Sequence, residues 1–376
     1  MRRVRVIFAF SLSILATLPP AAASADKVRD GQWHLKALAA SRAHTVSKGS
    51  GVVVAVVDTG IDPHRDLAGQ VLTGTTIIPG DSGDGREDQD SHGTQMAGLI
   101  AGRGRASNAG VLGIAPEAKL LPIKIQNKEI SAGAPAVGRG IKIAIDRGAS
   151  IVNVSYAVSP DDEIDAAVAE AAARDVLIVA GIGNTNLDIV GGYPAAMPGV
   201  LAVGGSDRGG DHSEISIRDR AVLICAPADE IVSTGPKNQY RIGTGTSNST
   251  AIVSGAAALI RSKFPSLTAR EVIHRLTATA DDNGPPGRDD ECGYGVVNIV
   301  KALTADVPPL APSTAPSPSI SESATTSPTA NASTETDPKS NNTPLIAGGL
   351  VGSVAVIGGL VAFLLVRRRR GDGTYP

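Results

Sequence analysis

Six short apolar runs, rich in β-branched residues, lie between positions 52 and 225 of this chain. Each run is continuous rather than alternating in polarity, which is typical of parallel strands that are covered on both faces. Segments with helical periodicity accompany them, including 161–174 and 268–280, and strands interleaved with helices predict an α/β fold with a mostly parallel central sheet. The predicted strands are 52–57, 120–125, 151–155, 176–182, 200–203 and 221–225.

The first residues have the pattern of a secretory signal peptide. Three arginines precede an apolar run at 6–18, and the small residues Ala23-Ser24-Ala25 follow it. Basic, apolar and small segments in this order predict a signal peptide at 1–25 that is cleaved before Asp26. An uncleaved anchor is the alternative, although the run is short for a membrane span.

Near the other end, residues 345–366 contain no charged side chain. A helix of this length reaches about 33 Å, enough to cross a hydrocarbon core of about 30 Å. Four arginines follow at 367–370, and basic residues stay on the cytoplasmic side of a membrane. We therefore expect a single-pass protein of the cell membrane with a basic cytoplasmic tail at 367–376.

The segment 307–344 is rich in Ser, Thr and Pro and has few large apolar side chains. Such a composition does not bury enough surface to fold, so a disordered linker is predicted here. The remaining residues, 26–306, are then one folded domain outside the cell.

Charge and cysteine content exclude some classes of function. The net charge is −2, so no nucleic-acid partner is implied. Cys225 and Cys292 are the only cysteines, too few to hold a metal by themselves. In an oxidising compartment two possibilities stay open for them, a disulfide and two free thiols.

Three segments contain residues with catalytic chemistry. Asp58 ends an apolar run, His92 begins an apolar helix, and Ser247 precedes the helical segment 252–260. A serine hydroxyl becomes a nucleophile when a histidine takes its proton, and a buried carboxylate orients that histidine. The alternative is that all three residues only cap turns or helices.

The order Asp, His, Ser along the chain is that of subtilisin. The segments 56–60, 90–98 and 243–247 resemble the three active-site motifs of the subtilisin family, and the likeness extends from about Gln32 to about Ala302. The resemblance implies a three-layer subtilisin-like fold. It also implies a serine endopeptidase that works through an Asp58-His92-Ser247 triad and an acyl-enzyme.

The resemblance implies further site residues. Asn184, in the segment 181–184, corresponds to the side-chain donor of the oxyanion hole. Tyr193-Pro194 is a candidate cis peptide, and the segment 293–298 resembles the closing strand of the family. The substrate-binding residues implied are Ser155, Tyr156, Ala157, Gly181 and Gly192.

The chain departs from the family pattern at several positions. Asn248 follows the nucleophile where a methionine is usual, Gln95 replaces the second histidine of the histidine motif, and Ala157 replaces a common glycine. Ser249 is a rival nucleophile on spacing alone. We favour Ser247 because Gly245-Thr246 precede it, as in the family.

The architecture as a whole resembles the mycosins, the proteases associated with type VII secretion systems. About thirty residues separate the predicted cleavage site from Asp58. This leaves no room for a folded propeptide, so we expect no maturation cleavage. The expected function is the processing of proteins at the secretion complex. The alternative is a structural subunit of that membrane complex, in which proteolysis is secondary.

No cofactor is predicted, and the other histidines show no metal-binding spacing. They are interpreted as surface or hydrogen-bonded structural residues. The acidic loop at 81–90 does not fit the EF-hand pattern. A solvated loop is favoured there over a calcium site.

Overall fold

The structure is a computed structural model, and all of its described residues belong to one unit, Met1–Pro312. The predicted signal peptide, almost all of the linker, the membrane span 345–366 and the basic tail lie outside the described residues. Among the described residues, no helix is long and apolar enough to span a bilayer. The described residues are 27–105, 108–186, 192–284 and 286–310.

Seven parallel strands form the central sheet, in the order β2-β5-β1-β6-β7-β8-β9. Each of the six predicted runs overlaps one of these strands, which confirms the parallel α/β prediction. Two small antiparallel sheets, β3-β4 and β10-β11, lie outside it. The strands are β1 (Val53–Asp58), β2 (Thr75–Thr76), β3 (Arg103–Arg105), β4 (Ala109–Leu112), β5 (Lys119–Lys124), β6 (Ile151–Val154), β7 (Leu177–Gly181), β8 (Leu201–Ser206), β9 (Ile224–Pro227), β10 (Ile231–Gly235) and β11 (Gln239–Gly243).

An α-helix is the next element after four of the strands, β2, β5, β6 and β11. The helix at Ala269–Ala278, within the predicted helical segment 268–280, begins with a capping box, since Thr268 accepts from the Glu271 backbone N–H while the Glu271 carboxylate accepts from Thr268. The helix predicted at 252–260 begins earlier, at Thr246. The helices are α1 (Lys27–Gly31), α2 (Trp33–Ala37), α3 (Ala40–Ala43), α4 (His92–Ala101), α5 (Ala134–Asp146), α6 (Asp162–Ala173), α7 (Thr246–Lys263), α8 (Ala269–Ala278) and α9 (Ile299–Thr304), with a 3₁₀ turn at Arg65–Leu67.

Both faces of the sheet are covered, and β1 shows why its sequence is continuously apolar. Val54 and Val56 belong to the hydrophobic core that contains α4 and α7. Ala55 and Val57 belong to the core that contains α5 and α6. Successive side chains of a strand point to opposite faces, so a strand between two helical layers needs apolar residues at every position.

Helix α7 crosses the core behind the carboxyl ends of the strands. Fourteen of its 18 residues are buried, and most of them are small. Gly255 shows why small residues are needed, because a Cβ atom there would lie 2.7 Å from the Cβ of Ile114. This close packing fixes the start of α7, where Ser247 lies.

A disulfide joins Cys225 of β9 to Cys292, which settles the choice that the sequence left open. The segment after Cys292 was expected to form a closing strand, and this expectation is wrong in detail. Gly293 and Val296 make only isolated bridges, to Ile224 and Cys225. Positive φ angles at Gly293 and Gly295 bend this backbone out of the extended conformation, so continuous pairing does not form.

Candidate active site

Asp58 is the last residue of β1, and its side chain is completely buried. Its carboxylate contacts the Nδ1 atom of His92 through both oxygens, at 2.8 and 3.0 Å. The backbone N–H of Thr59 also donates to it, at 2.8 Å. Because a carboxylate only accepts hydrogen bonds, Nδ1 of His92 must carry the proton, which leaves Nε2 of the neutral imidazole as a base.

A second carboxylate fixes the position of His92. Asp88 is 3% exposed and accepts five hydrogen bonds, among them those from the Thr59 hydroxyl and from the N–H and hydroxyl of Thr94. The Thr59 hydroxyl in turn accepts from the N–H of Gly93. Asp88 therefore ties the first turn of α4 to the end of β1.

The expectation of a solvated acidic loop at 81–90 is wrong for Asp88. Its carboxylate is buried and replaces the missing acceptors at the start of α4, which is the role of an N-terminal cap. Within the described ranges no group of three or more His, Cys, Asp or Glu side chains could hold a metal ion. The sequence signal that could have identified Asp88 as a buried cap is its position just before the predicted start of a helix, together with a carboxylate that can accept from backbone N–H groups.

The charges around His92 set its proton affinity. Burial of the imidazole acts to lower its pKa, but the Asp58 carboxylate and, more weakly, Asp90 and Asp88 act the other way and raise the pKa of His92 to about 9. The imidazole is still 32% exposed on its outer side. The site is therefore built to stabilise an imidazolium, the form that results when a base has taken a proton.

We expect the activity to rise with pH toward the alkaline range, because only the neutral imidazole accepts a proton. Below the raised pKa, about 9, His92 is protonated and inactive as a base, and kcat/KM should follow that titration. An Asp90→Asn variant should move the inflection to slightly lower pH with the maximum retained. A profile already flat above pH 6.5, the ordinary histidine pKa, would contradict this expectation.

Ser247 is the second residue of α7 and is partly exposed. Backbone N–H groups in a first helical turn have no acceptor within the helix, so the N–H of Ser247 is free to stabilise an anion. The rival Ser249 is completely buried. Its hydroxyl donates to the carbonyl oxygens of Ala226 and Pro227, at 2.8 and 3.2 Å, so it faces the end of β9 and is closed off from solvent.

Asn184 lies beyond the end of β7, beside the start of α7. Its Oδ1 atom accepts from the N–H and the hydroxyl of Thr246, at 2.9 and 3.1 Å. Since the oxygen is engaged with the residue before Ser247, the amide nitrogen points elsewhere, and among the described residues it has no acceptor. These two bonds fix the Asn184 side chain beside the start of α7.

Replacing Asn184 by alanine should lower kcat about 100- to 1000-fold with little change in KM, the range measured for such a donor in subtilisin. The physical reason is that an oxyanion forms only in the transition state. Steady-state kinetics on a peptide substrate would measure both constants. An equal loss in kcat and in substrate affinity would instead indicate that Asn184 binds the ground state.

Four of the five predicted substrate-binding residues lie together. The Ser155 hydroxyl is 3.5 Å from the carbonyl oxygen of Ser247, and Val158 pairs with Tyr193 through two backbone hydrogen bonds of 3.0 and 3.1 Å. The pairing places Gly192 next to the 155–157 segment, and the Tyr193-Pro194 peptide is cis, as expected. Gly181 differs, because it is buried and packs against Thr250 of α7.

Tyr156 contacts the histidine from the substrate side. The two ring centroids lie 6.4 Å apart, at an interplanar angle of 60°. Burial, with smaller contributions from Asp58 and Asp90, raises the pKa of the Tyr156 hydroxyl well above its usual value. The phenol therefore stays neutral and forms an apolar wall beside His92.

Two departures from the family pattern are in contact with each other. The Gln95 amide nitrogen donates to Oδ1 of Asn248 at 3.0 Å. The Asn248 amide nitrogen donates to the carbonyl oxygens of Ala228 and Gly243, at 3.0 and 2.9 Å. Since Gln95 follows His92 on α4 and Asn248 follows Ser247 on α7, this bond joins the helix that carries His92 to the helix that carries Ser247.

We expect Gln95→Ala and Asn248→Ala to be non-additive in a double-mutant cycle on kcat. Removing either amide breaks the bond between the two side chains, and residues in direct contact show coupling energies of about 0.5–3 kcal/mol. The double variant should therefore lose less than the sum of the single variants. Additivity within about 0.5 kcal/mol would show that the bond does not position the two helices.

One histidine contradicts the interpretation given to it from sequence. His34 in α2 is completely buried, and within the described part of the chain neither ring nitrogen has a hydrogen-bond partner. Burial lowers the pKa of His34 to about 3, so the ring is neutral at physiological pH. It is neither a surface residue nor a hydrogen-bonded one.

Comparison with known proteins agrees with this site. Residues 49–295 match the subtilase family of peptidases, peptidase S8. Subtilisin Savinase of Lederbergia lenta is 34% identical over 272 residues, which are 72% of this chain and 97% of that protein. The chain therefore belongs to the subtilase family and is a subtilisin-like serine endopeptidase.

Within that family the chain is related to the mycosins. Mycosin-1 of Mycobacterium tuberculosis is 35% identical over 348 residues, 76% of each chain. A solved structure of the serine protease MycP1, an essential component of the type VII (ESX-1) secretion system, superposes with a TM-score of 0.66 at 31% identity. That superposition covers 77% of this chain and 91% of the other.

Proposed function

We propose that this protein is a membrane-anchored endopeptidase that processes proteins at a type VII secretion system, with Asp58, His92 and Ser247 as its catalytic triad. The contact between both Asp58 oxygens and Nδ1 of His92 carries the proposal. It leaves Nε2 as a base, as Ser247 requires. The likeness to mycosins supports the place of action.

In the acylation step, the Ser247 Oγ attacks the carbonyl carbon of the scissile peptide while His92 Nε2 takes the hydroxyl proton. The carbonyl oxygen becomes negative and accepts hydrogen bonds from the Asn184 amide and the Ser247 N–H. When the C–N bond breaks, His92 returns the proton to the leaving amine. The product is an ester of Ser247.

In the deacylation step, water takes the place of the amine. His92 removes a proton from the water, and the resulting hydroxide attacks the ester carbonyl, again with Asn184 and the Ser247 N–H on the developing oxyanion. The ester bond breaks, and Ser247 recovers its proton from the imidazolium. Asp58 stays ionised throughout and stabilises the charged imidazole.

We further propose that the peptidase domain, 26–306, acts outside the cell. This organisation rests on the sequence patterns of the signal peptide, the linker 307–344 and the span 345–366. It would hold the active site near the membrane on a tether that reaches about 30 Å as a flexible coil. Protease-protection of the tail in intact cells would test the orientation.

The decisive experiment is fluorophosphonate labelling of the full chain in detergent. The reagent reacts with an activated serine, so the wild-type protein should be labelled and the Ser247→Ala and His92→Ala variants should not. Ser249→Ala is the matched control and should retain labelling. Absence of labelling in the folded wild-type protein would overturn the proposed activity.

Secretion by cells that carry Ser247→Ala in place of the wild-type gene would separate processing from a structural role. The description of MycP1 as an essential component makes this comparison necessary. If only deletion stops secretion, the protein acts there as a structural subunit. If the point variant also stops it, proteolysis is the required activity.

A further inference from the structure

A cavity of about 400 Å³ lies between the segment that follows β1 and the turn of the β10-β11 hairpin. Two arginines, Arg65 and Arg86, line it, and Asn238 of the hairpin turn closes one side. Ile61 and Leu67 are fully buried beneath it. Its apolar lining residues are Ile61, Pro63, Leu67, Ala68 and Val71.

Two further cationic side chains lie at the cavity, because each donates a hydrogen bond to the carbonyl oxygen of a lining residue. Lys119 Nζ donates to the Gly69 carbonyl oxygen at 2.6 Å. Arg103 Nη1 donates to the Ala68 carbonyl oxygen at 3.5 Å. These bonds hold two more positive charges at the rim, next to the two arginines that line the cavity.

The positive charge at this rim is poorly compensated. Across the described residues the one carboxylate paired with these four cations is Asp84, whose Oδ2 lies 3.9 Å from Arg86 Nε. Arg65 instead lies 5.6 Å from the centre of the Tyr240 ring and donates to its hydroxyl. An apolar cavity with a largely basic rim suits a ligand that combines an apolar side chain with carboxylates.

The cavity is one strand length from the nucleophile. Strand β11 runs from the turn at Asn238 to Gly243, and the Gly243 carbonyl accepts from Asn248, the residue after Ser247. At about 3.3 Å per residue, the five steps from 238 to 243 span about 17 Å. An extended peptide would cover the same distance with about five residues.

We propose that this cavity binds an acidic segment of the protein substrate, about four to seven residues from the scissile bond, with an apolar side chain in the cavity. The assignment rests on the proposed proteolytic function, because it names the substrate of that same site. Exposed charge pairs are individually weak. We therefore expect the two arginines together to change kcat/KM for such a substrate about three- to tenfold.

Cleavage of a proteome-derived peptide library by the full chain, read by mass spectrometry, tests the proposal. Acidic residues should be enriched about four to seven positions from the cuts made by the wild-type protein, on one side of the cut. An Arg65→Gln/Arg86→Gln variant should lose the enrichment and keep its preference for the residues next to the cut. The matched control, Arg139→Gln/Arg270→Gln, removes two exposed arginines from α5 and α8 and should behave as wild type.

Arg86 also donates to the Val71 carbonyl, so a second variant guards against a folding effect. Arg65→Glu changes only an exposed side chain and should disfavour acidic residues at the same positions. Identical profiles for the wild-type protein, the double glutamine variant and Arg65→Glu would overturn the proposal. The basic rim would then be left to another anion, such as a lipid headgroup.

A binding measurement separates this proposal from the proteolytic one. On the Ser247→Ala background, fluorescence anisotropy would compare a peptide of alternating Glu and Leu with its Gln and Leu counterpart. We expect at least threefold tighter binding of the Glu peptide, lost in Arg65→Gln/Arg86→Gln. Equal binding overturns the inference even if the library is cleaved, whereas selective binding without any cleavage overturns only the proposed function.

Discussion

Ser247→Ala is expected to lower kcat by about 10⁶-fold, the loss measured in subtilisin when its nucleophile is removed. The reason is that the variant keeps the oxyanion donors but has no atom that can form the acyl-enzyme. Asn184 should remain oriented, since its oxygen is held by Thr246. Substrate affinity should therefore change little, and the loss should appear in kcat.

Ser249→Ala is the control for this measurement. The Ser249 hydroxyl bonds to two carbonyl groups in the core, so its loss should lower stability by about 1–3 kcal/mol and leave turnover nearly unchanged. Both variants would be compared on one peptide substrate, with thermal unfolding followed in parallel. If Ser249→Ala lost activity while Ser247→Ala kept it, the assignment of the nucleophile would be reversed.

Acid should destabilise the domain through His34. In the unfolded chain this ring binds a proton below its ordinary pKa of 6.5. In the folded state the pKa of His34 is about 3, so the ring stays neutral until the pH falls to that value. Below pH 6.5 the unfolded state therefore binds more protons, and stability falls as the pH falls. Because the unfolded-state ring is only half protonated at pH 6.5, the free energy of unfolding should drop by about 2 kcal/mol between pH 6.5 and 4.5.

Urea unfolding at pH 7 and pH 4.5, on the Ser247→Ala background to prevent self-cleavage, would measure this effect. Trp33 is the only tryptophan of the chain and adjoins His34, so its fluorescence reports on this region. His34→Leu, with a similar volume and no titrating group, should reduce the acid sensitivity by about 2 kcal/mol. Part of the sensitivity should remain, because burial also lowers the pKa values of His44, His64 and His212. His274→Leu, on the partly exposed face of α8, should not reduce it, and equal sensitivity in both variants would rule out His34 as the cause.

The sheet and part of the site could be predicted because their signals are local. Buried parallel strands need apolar residues at every position, so β1 and β7 are visible as continuous runs. The carboxyl end of β1 and the start of α4 are also local features. This is why the contact between Asp58 and His92 could be anticipated as a hypothesis, although only coordinates give its geometry.

Other features depend on contacts between distant residues. The bond between Gln95 and Asn248 joins positions 153 residues apart. From sequence each residue is therefore only a departure from the subtilisin motifs, and their contact could not be predicted. From sequence, His34 cannot be distinguished from a surface histidine, because nothing in the neighbouring residues indicates that the folded domain will enclose it. The burial of Asp88 could not be predicted, because it lies among other acidic residues and composition does not distinguish a buried cap from a solvated carboxylate.

The packing of α7 has a consequence for how this enzyme would lose activity. Because Ser247 begins a helix with 14 of 18 residues buried, the helix cannot open by itself without exposing the core. Amide protons in α7 should therefore exchange with solvent only through unfolding of the whole domain. The active site should then be lost only when the whole domain unfolds. A population in which only the start of α7, with Ser247, is frayed should not accumulate before that transition.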